Sequence, residues 1–313
     1  MPCAAAISSL LLLAVVHLTM AATTIEQLFP DSKTNLTTIK WAHRVNSQDD
    51  LNKALESSDI RMLEGDVIIG KLNNQSNGTD TVIMGHPPNT TSDLSLEEFL
   101  KKVTPDKKKG IKLDFKSIEA YEMGLTLIQK SGNLTIPLWL NADILKGPVN
   151  ATDDPLPVDA KRFFAGAAKL PQALLSIGWT TRLEPSVQEG GSYTAEQINE
   201  MVKHVEESKT NQSVTYPVRA CYAANDVNVL KTLLTSTKAN NPTLTVWSSE
   251  GDKVDAAKLS QLIKTIGVNK VYVDVPAILW KQLDLSSSAY TARSSLPLLL
   301  ASVVACIFTV KLL

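Results

Sequence analysis

Along this chain, short apolar runs alternate with longer stretches in which apolar residues recur every three or four positions. The runs fall at 39–45, 60–69, 110–116, 136–142, 173–179, 216–223, 243–248 and 269–275. Each is short and rich in β-branched or aromatic residues, which predicts a strand. Between them, SQDDLNKALES, SLEEFLKKV, SIEAYEMGLTLIQK, TAEQINEMVKHVEES, VNVLKTLLTSTKA and DAAKLSQLIKTIG predict amphipathic helices, several with Ser or Asp at the expected N-cap. Eight strands alternating with helices between residues 23 and 285 predict an α/β fold of the (β/α)8 TIM-barrel type, which usually takes about 250 residues. A doubly wound open sheet is the alternative; the lack of a Gly-rich phosphate loop after any strand disfavours its nucleotide-binding versions. One irregularity stands out. The polar stretch KLNNQSNGTD and a further strand-like run, TVIMGH, follow the second strand, which predicts an excursion from its end.

The polar residues inside the strands carry the chemistry. In LEGDVIIG, Glu64 and Asp66 lie two residues apart, hence on one face. Two carboxylates side by side repel, and burying them is costly unless a cation, a basic side chain or water compensates. In IKLDFK, Lys112, Asp114 and Lys116 alternate with Ile111, Leu113 and Phe115; in the last strand Tyr272 and Asp274 alternate with valines; Thr243, Thr245 and Trp247 share a face. A closed barrel places such alternate residues inside, where branched apolar side chains are usual. Charged positions near C-terminal strand ends therefore point to a site there, a buried ion-pair network without a ligand being the plainer reading. His43 stands near the end of the first strand and His86 at the end of the excursion, so both fall beside these carboxylates.

Charge changes the picture little. Lys and Arg number 31 against 32 Asp and Glu, so there is no electrostatic case for nucleic acid as a partner. The ends change it more. ISSLLLLAVVHL followed by TMAATT reads as a secretory signal peptide over residues 1–22. Small residues at 286–289, a polar spacer and an apolar tail read as a GPI-attachment signal over 286–313, with Ser286, Ser287 and Ser288 the candidate attachment sites and a transmembrane helix the alternative. Sequons at Asn35, Asn74, Asn77, Asn89, Asn133, Asn150 and Asn211 then predict an extracellular glycoprotein held to the membrane by its C-terminus, or else secreted. Of three cysteines, Cys3 and Cys306 fall in the two signals, leaving Cys221 unpaired and, in the run VRACYA, a buried inert thiol.

Taken together, AHR, LEGDV some twenty residues on, a strand-end His and LDFK resemble the phospholipase-C-like phosphodiesterase superfamily, which includes glycerophosphodiester phosphodiesterases and spider-venom sphingomyelinases D. Across 40–275 the segments WAHRVNS, EGDV, GHPP, KLDFKS and PLWLNADI resemble more specifically the menorin family. The resemblance implies that Glu64, Asp66 and Asp114 hold a divalent cation, Mg2+ or Ca2+, both of which prefer oxygen ligands. It implies that His43 and His86 act as a general acid/base pair on a phosphodiester or phospholipid head group, and that Lys116 neutralises the phosphate. Lys112, Asn141, Asp143, Arg219, Trp247 and Asp274 are further pocket candidates. The chain departs from the glycerophosphodiesterase pattern at Val45, where Gly commonly follows His-Arg, and at Pro87, where Asp commonly follows the second His. The menorin resemblance also implies a non-catalytic alternative, a cell-surface ligand or co-receptor in adhesion-receptor complexes, as in neuronal patterning.

Overall fold

A computed structural model describes residues 23–73, 78–132, 134–149, 155–181 and 191–286. The signal-peptide region, Ser287, Ser288 and the tail, and the sequons at Asn74, Asn77, Asn133 and Asn150 lie outside the described residues. The strands are β1 (Trp41–Ala42), β2 (Met62–Leu72), β3 (Thr81–Met84), β4 (Thr91–Ser92), β5 (Gly110–Phe115), β6 (Leu138–Lys146), β7 (Leu174–Thr180), β8 (Ser213–Arg219), β9 (Asn240–Trp247) and β10 (Val271–Asp274). The helices are α1 (Ile25–Leu28), α2 (Gln48–Glu56), α3 (Leu96–Val103), α4 (Ile118–Lys130), α5 (Ala160–Ala167), α6 (Ala195–Ser208), α7 (Ala220–Ala223), α8 (Val227–Ser236), α9 (Ala256–Ile266) and α10 (Ala277–Trp280).

Eight parallel strands follow one another in the order β1-β2-β5-β6-β7-β8-β9-β10, with helices between them. This is the expected (β/α)8 barrel, nearly closed. Among the described residues β1 and β10 form no ladder. Their seam is joined by His43 to Asp274 at one end and by the Leu36 N–H donating to the Val268 carbonyl, 2.8 Å, at the other. The excursion after β2 adds two strands to it: β3 runs antiparallel to β2, with Val67 opposite Met84, and β4 pairs parallel with its end, Lys71 opposite Thr91.

The strand-face alternation explains the two cores. Leu63, Ile111, Leu113, Phe115, Leu140, Leu175, Val218, Val246 and Val271 point outward into the layer under the helices. The interior is filled differently at its two ends. At the N-terminal foot, Met62, Trp139 and Tyr272 meet Ile25, Leu36 and Ile39 from the leading segment. Trp41, Trp139 and Tyr272 pack edge to face at ring separations of 4.8–6.4 Å, and aromatic pairs of this kind stabilise by about 0.5–1.5 kcal/mol beyond area burial. The leading segment thus plugs the foot, and the polar interior residues above it open toward the opposite end.

Two expected boundaries shift. The run 216–223 is not one strand: β8 ends at Arg219, and Ala220–Ala223 form the helical turn α7, because a buried apolar run alone does not separate strand from helix. The first strand is shorter than 39–45, since Arg44 turns into the left-handed region at φ 60°. The preceding strand therefore stops short of the mouth. Cys221 is free and buried, as expected for an inert thiol.

Candidate active site at the barrel mouth

Strand register sets the site. β2 pairs β5 with Glu64 opposite Lys112 and Asp66 opposite Asp114, and β6 continues the row with Asn141 opposite Asp114. Glu64, Asp66 and Asp114 offer ligand oxygens that all lie within 4.8 Å of one another. Each carboxylate has one oxygen fixed by an N–H donor. The Arg44 backbone donates to Glu64 Oε2 at 2.8 Å, Asn46 Nδ2 to Asp66 Oδ2 at 2.7 Å, and Asn141 Nδ2 to Asp114 Oδ1 at 2.6 Å. The left-handed turn at Arg44 is what aims that N–H at Glu64, a strained residue held in place by its role. Asn46 also accepts from the Asp66 N–H, 2.9 Å, and Ser176 Oγ donates to Asn141 Oδ1, 2.5 Å, so the amides are themselves locked.

Lys116 supplies the compensation that the paired carboxylates demand. Its Nζ lies 2.8 Å from Asp66 Oδ1 and 2.5 Å from Asp114 Oδ2. Burial opposes the charge on Lys116, but Asp114, Asp66 and Asp143 outweigh it and hold its pKa well above the ordinary value. Burial likewise works against ionised Asp66, yet Lys116 and Asn46 keep its carboxyl below the usual range. Glu64, facing no such contact, is raised by burial, with His43 pulling the other way. Asp143 is pushed up to about 7 by burial, with Asp114 adding to it. The donor set fits a hard divalent cation: three convergent carboxylates, each pre-oriented, with an ammonium standing in as the positive charge between two of them. The ion-pair network that formed the plainer sequence reading is therefore present as well, on the same residues.

The two histidines flank this cluster. His43 Nδ1 lies 2.8 Å from Asp274 Oδ2 and 3.6 Å from Glu64 Oε2. Burial disfavours the imidazolium, but Asp274 and Glu64 outweigh it and raise the ring to about 9. Asp274, in turn, is held below its usual range by His43 against the effect of its own burial. His86 directs Nδ1 at the Pro87 carbonyl, 2.6 Å, in a turn closed by the Asn89 N–H donating to the His86 carbonyl. The Pro87–Pro88 bond in this turn is cis. Both rings line one cavity of roughly 660 Å3, together with Glu64, Asp66, Lys112, Asp114, Lys116, Asn141, Asp143, Arg219 and Trp247. All the sequence-nominated pocket residues except Asp274 line it, and Asp274 reaches it through His43.

The opposite wall differs. The Arg219 guanidinium is held by Asp252 at 2.9 and 2.8 Å and by Thr181 Oγ1 at 3.2 Å, and it lies 5.0 Å from the Trp247 ring centroid. The ion pair is almost wholly buried, so it fixes the indole as a wall rather than offering a free charge. Lys112 is buried too, and no hydrogen bond or ion pair ties it to a described residue. Thr180 Oγ1 is buried at the same cavity without a partner among the described residues. Asn46, Ser176, Asp252, Thr180 and the exposed rim residue Leu156 escaped the sequence reading, because none belongs to a charged strand pattern.

Three sequons can be placed. Asn89 and Asn211 are exposed in loops. Asn35 caps a helical turn, its Oδ1 accepting from the Thr37 N–H and hydroxyl at 3.2 and 2.6 Å.

These features define the class: a (β/α)8 barrel with a carboxylate cluster and two histidines at the C-terminal ends of its strands, where barrel enzymes place their sites. The family model for the menorin N-terminal domain matches residues 35–280. The human protein FAM151B is 35% identical over 244 residues, covering 76% of this chain and 82% of that protein. The chain belongs to the menorin family.

Proposed function

We propose that the mouth is a divalent-cation-dependent phosphodiesterase site on an extracellular glycoprotein carried at the membrane by a C-terminal GPI attachment. The carrying observation is the convergence of three pre-oriented carboxylates within 4.8 Å, beside two histidines on one cavity. Glu64, Asp66 and Asp114 would hold Mg2+ or Ca2+, which when bound supplies Lewis-acid polarisation of a phosphoryl oxygen. The chain's own residues supply the rest. With its Nδ1–H donated to the Pro87 carbonyl, neutral His86 carries its lone pair on Nε2 and acts as base. His43, protonated at neutral pH by its two carboxylate neighbours, acts as acid. A substrate hydroxyl gives its proton to His86 as its oxygen bonds to phosphorus; the departing oxygen takes the proton of His43 as its bond to phosphorus breaks. Lys112, buried at the cavity and tied by no hydrogen bond or close ion pair to a described residue, though within the field of Glu64, Asp143 and Asp274, meets the anionic phosphate, whereas Lys116 is engaged by Asp66 and Asp114. Trp247 and Asn141 bound the pocket.

The test is a screen of the secreted ectodomain, with Mg2+ or Ca2+, against phosphodiesters and phospholipid head groups, read by phosphorus NMR. Turnover abolished by chelation supports the site. No turnover of any member, with undiminished binding to cell-surface receptors, favours the second reading, a scaffold in adhesion complexes.

A further inference from the structure

The foot of the barrel holds a second cavity, of about 210 Å3, where β6, β7, β8 and β9 begin. An irregularity of register shapes it. Ser213 lies opposite Asn240 and Thr215 opposite Thr243, so β9 spends two residues, Asn241 and Pro242, where β8 spends one, Val214. Asn241 absorbs the extra residue in left-handed backbone, φ 45°, a conformation that Asn tolerates. The buried side of the cavity is aromatic, Trp139 and Tyr272, and its exposed side carries amides, Gln172, Asn211, Asn240 and Asn241. Glu26 is the only charged residue among the described residues that line it. Thr243 lines it as well. Its side chain is buried, at 4% exposure, and its Oγ1 has no hydrogen-bond partner among the described residues.

Amides set donors and acceptors side by side, and a lining with a single charge suits a neutral ligand rich in hydroxyl and amide groups. A sugar has that chemistry, and the volume far exceeds what one ordered water needs. Asn211 at the rim begins a sequon, with Ser213 two residues on. Its carbonyl accepts from Asn240 Nδ2 at 3.4 Å, while its side chain makes no hydrogen bond to a described residue. We infer that the first N-acetylglucosamine of a glycan on Asn211 folds back into this cavity, its polar groups meeting the amide rim and the Thr243 hydroxyl. The seat presupposes the extracellular glycoprotein proposed above, not its phosphodiesterase chemistry. Because the bond to Asn211 holds the sugar at the rim, its effective concentration is high and weak contacts suffice. Thr24 and Ile25 line the same cavity, so the seated sugar also ties the leading segment that plugs the foot to the strands beneath it.

The full-length chain is expressed in cells, and occupancy of each sequon is read by mass spectrometry. The native protein is then treated with peptide-N-glycosidase, which cuts between asparagine and the first sugar and leaves aspartate. Asn89 and Asn211 are both exposed, so exposure alone gives equal release. Seating predicts release at Asn211 at least tenfold slower than at Asn89, with the two rates equal after denaturation. Thr243→Val adds a test of sign. Replacing an unpartnered buried hydroxyl by a methyl group of the same shape is nearly neutral or stabilising, whereas removing one bonded to the sugar is not. The variant should speed release at Asn211 at least threefold and leave Asn89 unchanged. It should lower the melting temperature of the glycosylated protein but not that of Asn211→Gln, and Thr243→Ser should keep the wild-type rate. Equal native release from Asn211 and Asn89, or a Thr243→Val protein released at the wild-type rate, overturns the seat and leaves the cavity to water. A bare Asn211 beside other occupied sequons overturns it alone. If no sequon is occupied, the glycoprotein reading falls and the seat with it.

Discussion

His43 Nδ1 and Asp274 Oδ2 lie 2.8 Å apart across the seam between β1 and β10, where no strand ladder runs among the described residues. The contact joins the end of β1 to the end of β10, so a single pair both closes the mouth and sets the protonation of a candidate acid. Glu64 adds a second negative neighbour at 3.6 Å.

Removing that neighbour should return His43 toward its ordinary range. In Asp274→Asn, the His43 titration followed by NMR should fall from about 9 by a unit or more, with Glu64 left to hold part of the shift. The stability consequence has a definite sign. A pKa raised on folding contributes stability that is fully present below about 6.5 and is lost as pH climbs through about 9. Denaturant midpoints of the wild type should therefore fall between pH 7 and 9.5, and Asp274→Asn should show a flatter profile. An unchanged His43 titration in the variant would show that the pairing does not set it.

Lys116 should matter most when no metal is present. Lys116→Met leaves Asp66 and Asp114 facing each other with their shared cation gone, and breaking a buried pair by removing one partner costs about 3–5 kcal/mol. The lower end applies, since the Lys116 side chain keeps 23% exposure. The melting temperature should drop in chelator, and millimolar Mg2+ or Ca2+ should restore more of it than the same ion adds to the wild type. Equal ion-induced shifts in both proteins would remove the cation from this cluster.

Cys221 should behave as a packed side chain. Burial, with Asp252 adding to it, pushes the thiol up to about 11. Thiolate is then scarce below pH 9, and reaction with a disulfide reagent should be at least a hundredfold slower in the native protein than in denaturant. Rapid native labelling at pH 8 would mean that the helical turn α7 opens readily.

How much of this was legible beforehand depends on range. Strand alternation exposed the barrel and the facing sets Glu64 with Asp66 and Lys112 with Asp114, because side-chain period is a local property. Whatever depends on tertiary closure stayed hidden. Asn46 meets Asp66 across 20 residues, and Asp252 meets Arg219 across 33; a neutral amide and a loop carboxylate carry no local mark of such contacts. α7 was misread because ACYA continues the apolar run of β8 without a turn residue between them. α5, whose AKRFFAGA carries a glycine pressed against Tyr121 and Leu125, has too brief a periodic pattern to stand out. The foot plug by Ile25, Leu36 and Ile39 was equally silent, since apolar residues ahead of the first strand do not say where they pack.

The two histidines decide between enzyme and scaffold. They sit 43 positions apart in sequence yet line one cavity, one bound through Nδ1 to a carboxylate and the other to a carbonyl. That asymmetry suits the rings to opposite roles, so rate should follow the bell-shaped pH profile of an acid/base pair, with its alkaline fall set by His43 losing its proton above about 9. His43→Ala and His86→Ala should each lower kcat by roughly 10²–10⁴-fold, the usual contribution of positioned proton transfer. Phosphodiester affinity should change far less, because Lys112 and the carboxylate cluster are untouched. The double variant should lose less than the product of the single losses, since the pair serves one concerted proton relay. Asp274→Asn should pull in the alkaline limb of the profile while leaving the acid limb in place, which a purely structural role for the seam would not do. If both alanine variants fold, reach the cell surface and bind receptors as the wild type does, and the wild type turns over no phosphodiester, the mouth is a recognition surface built on an ion-pair network and the acid/base assignment falls.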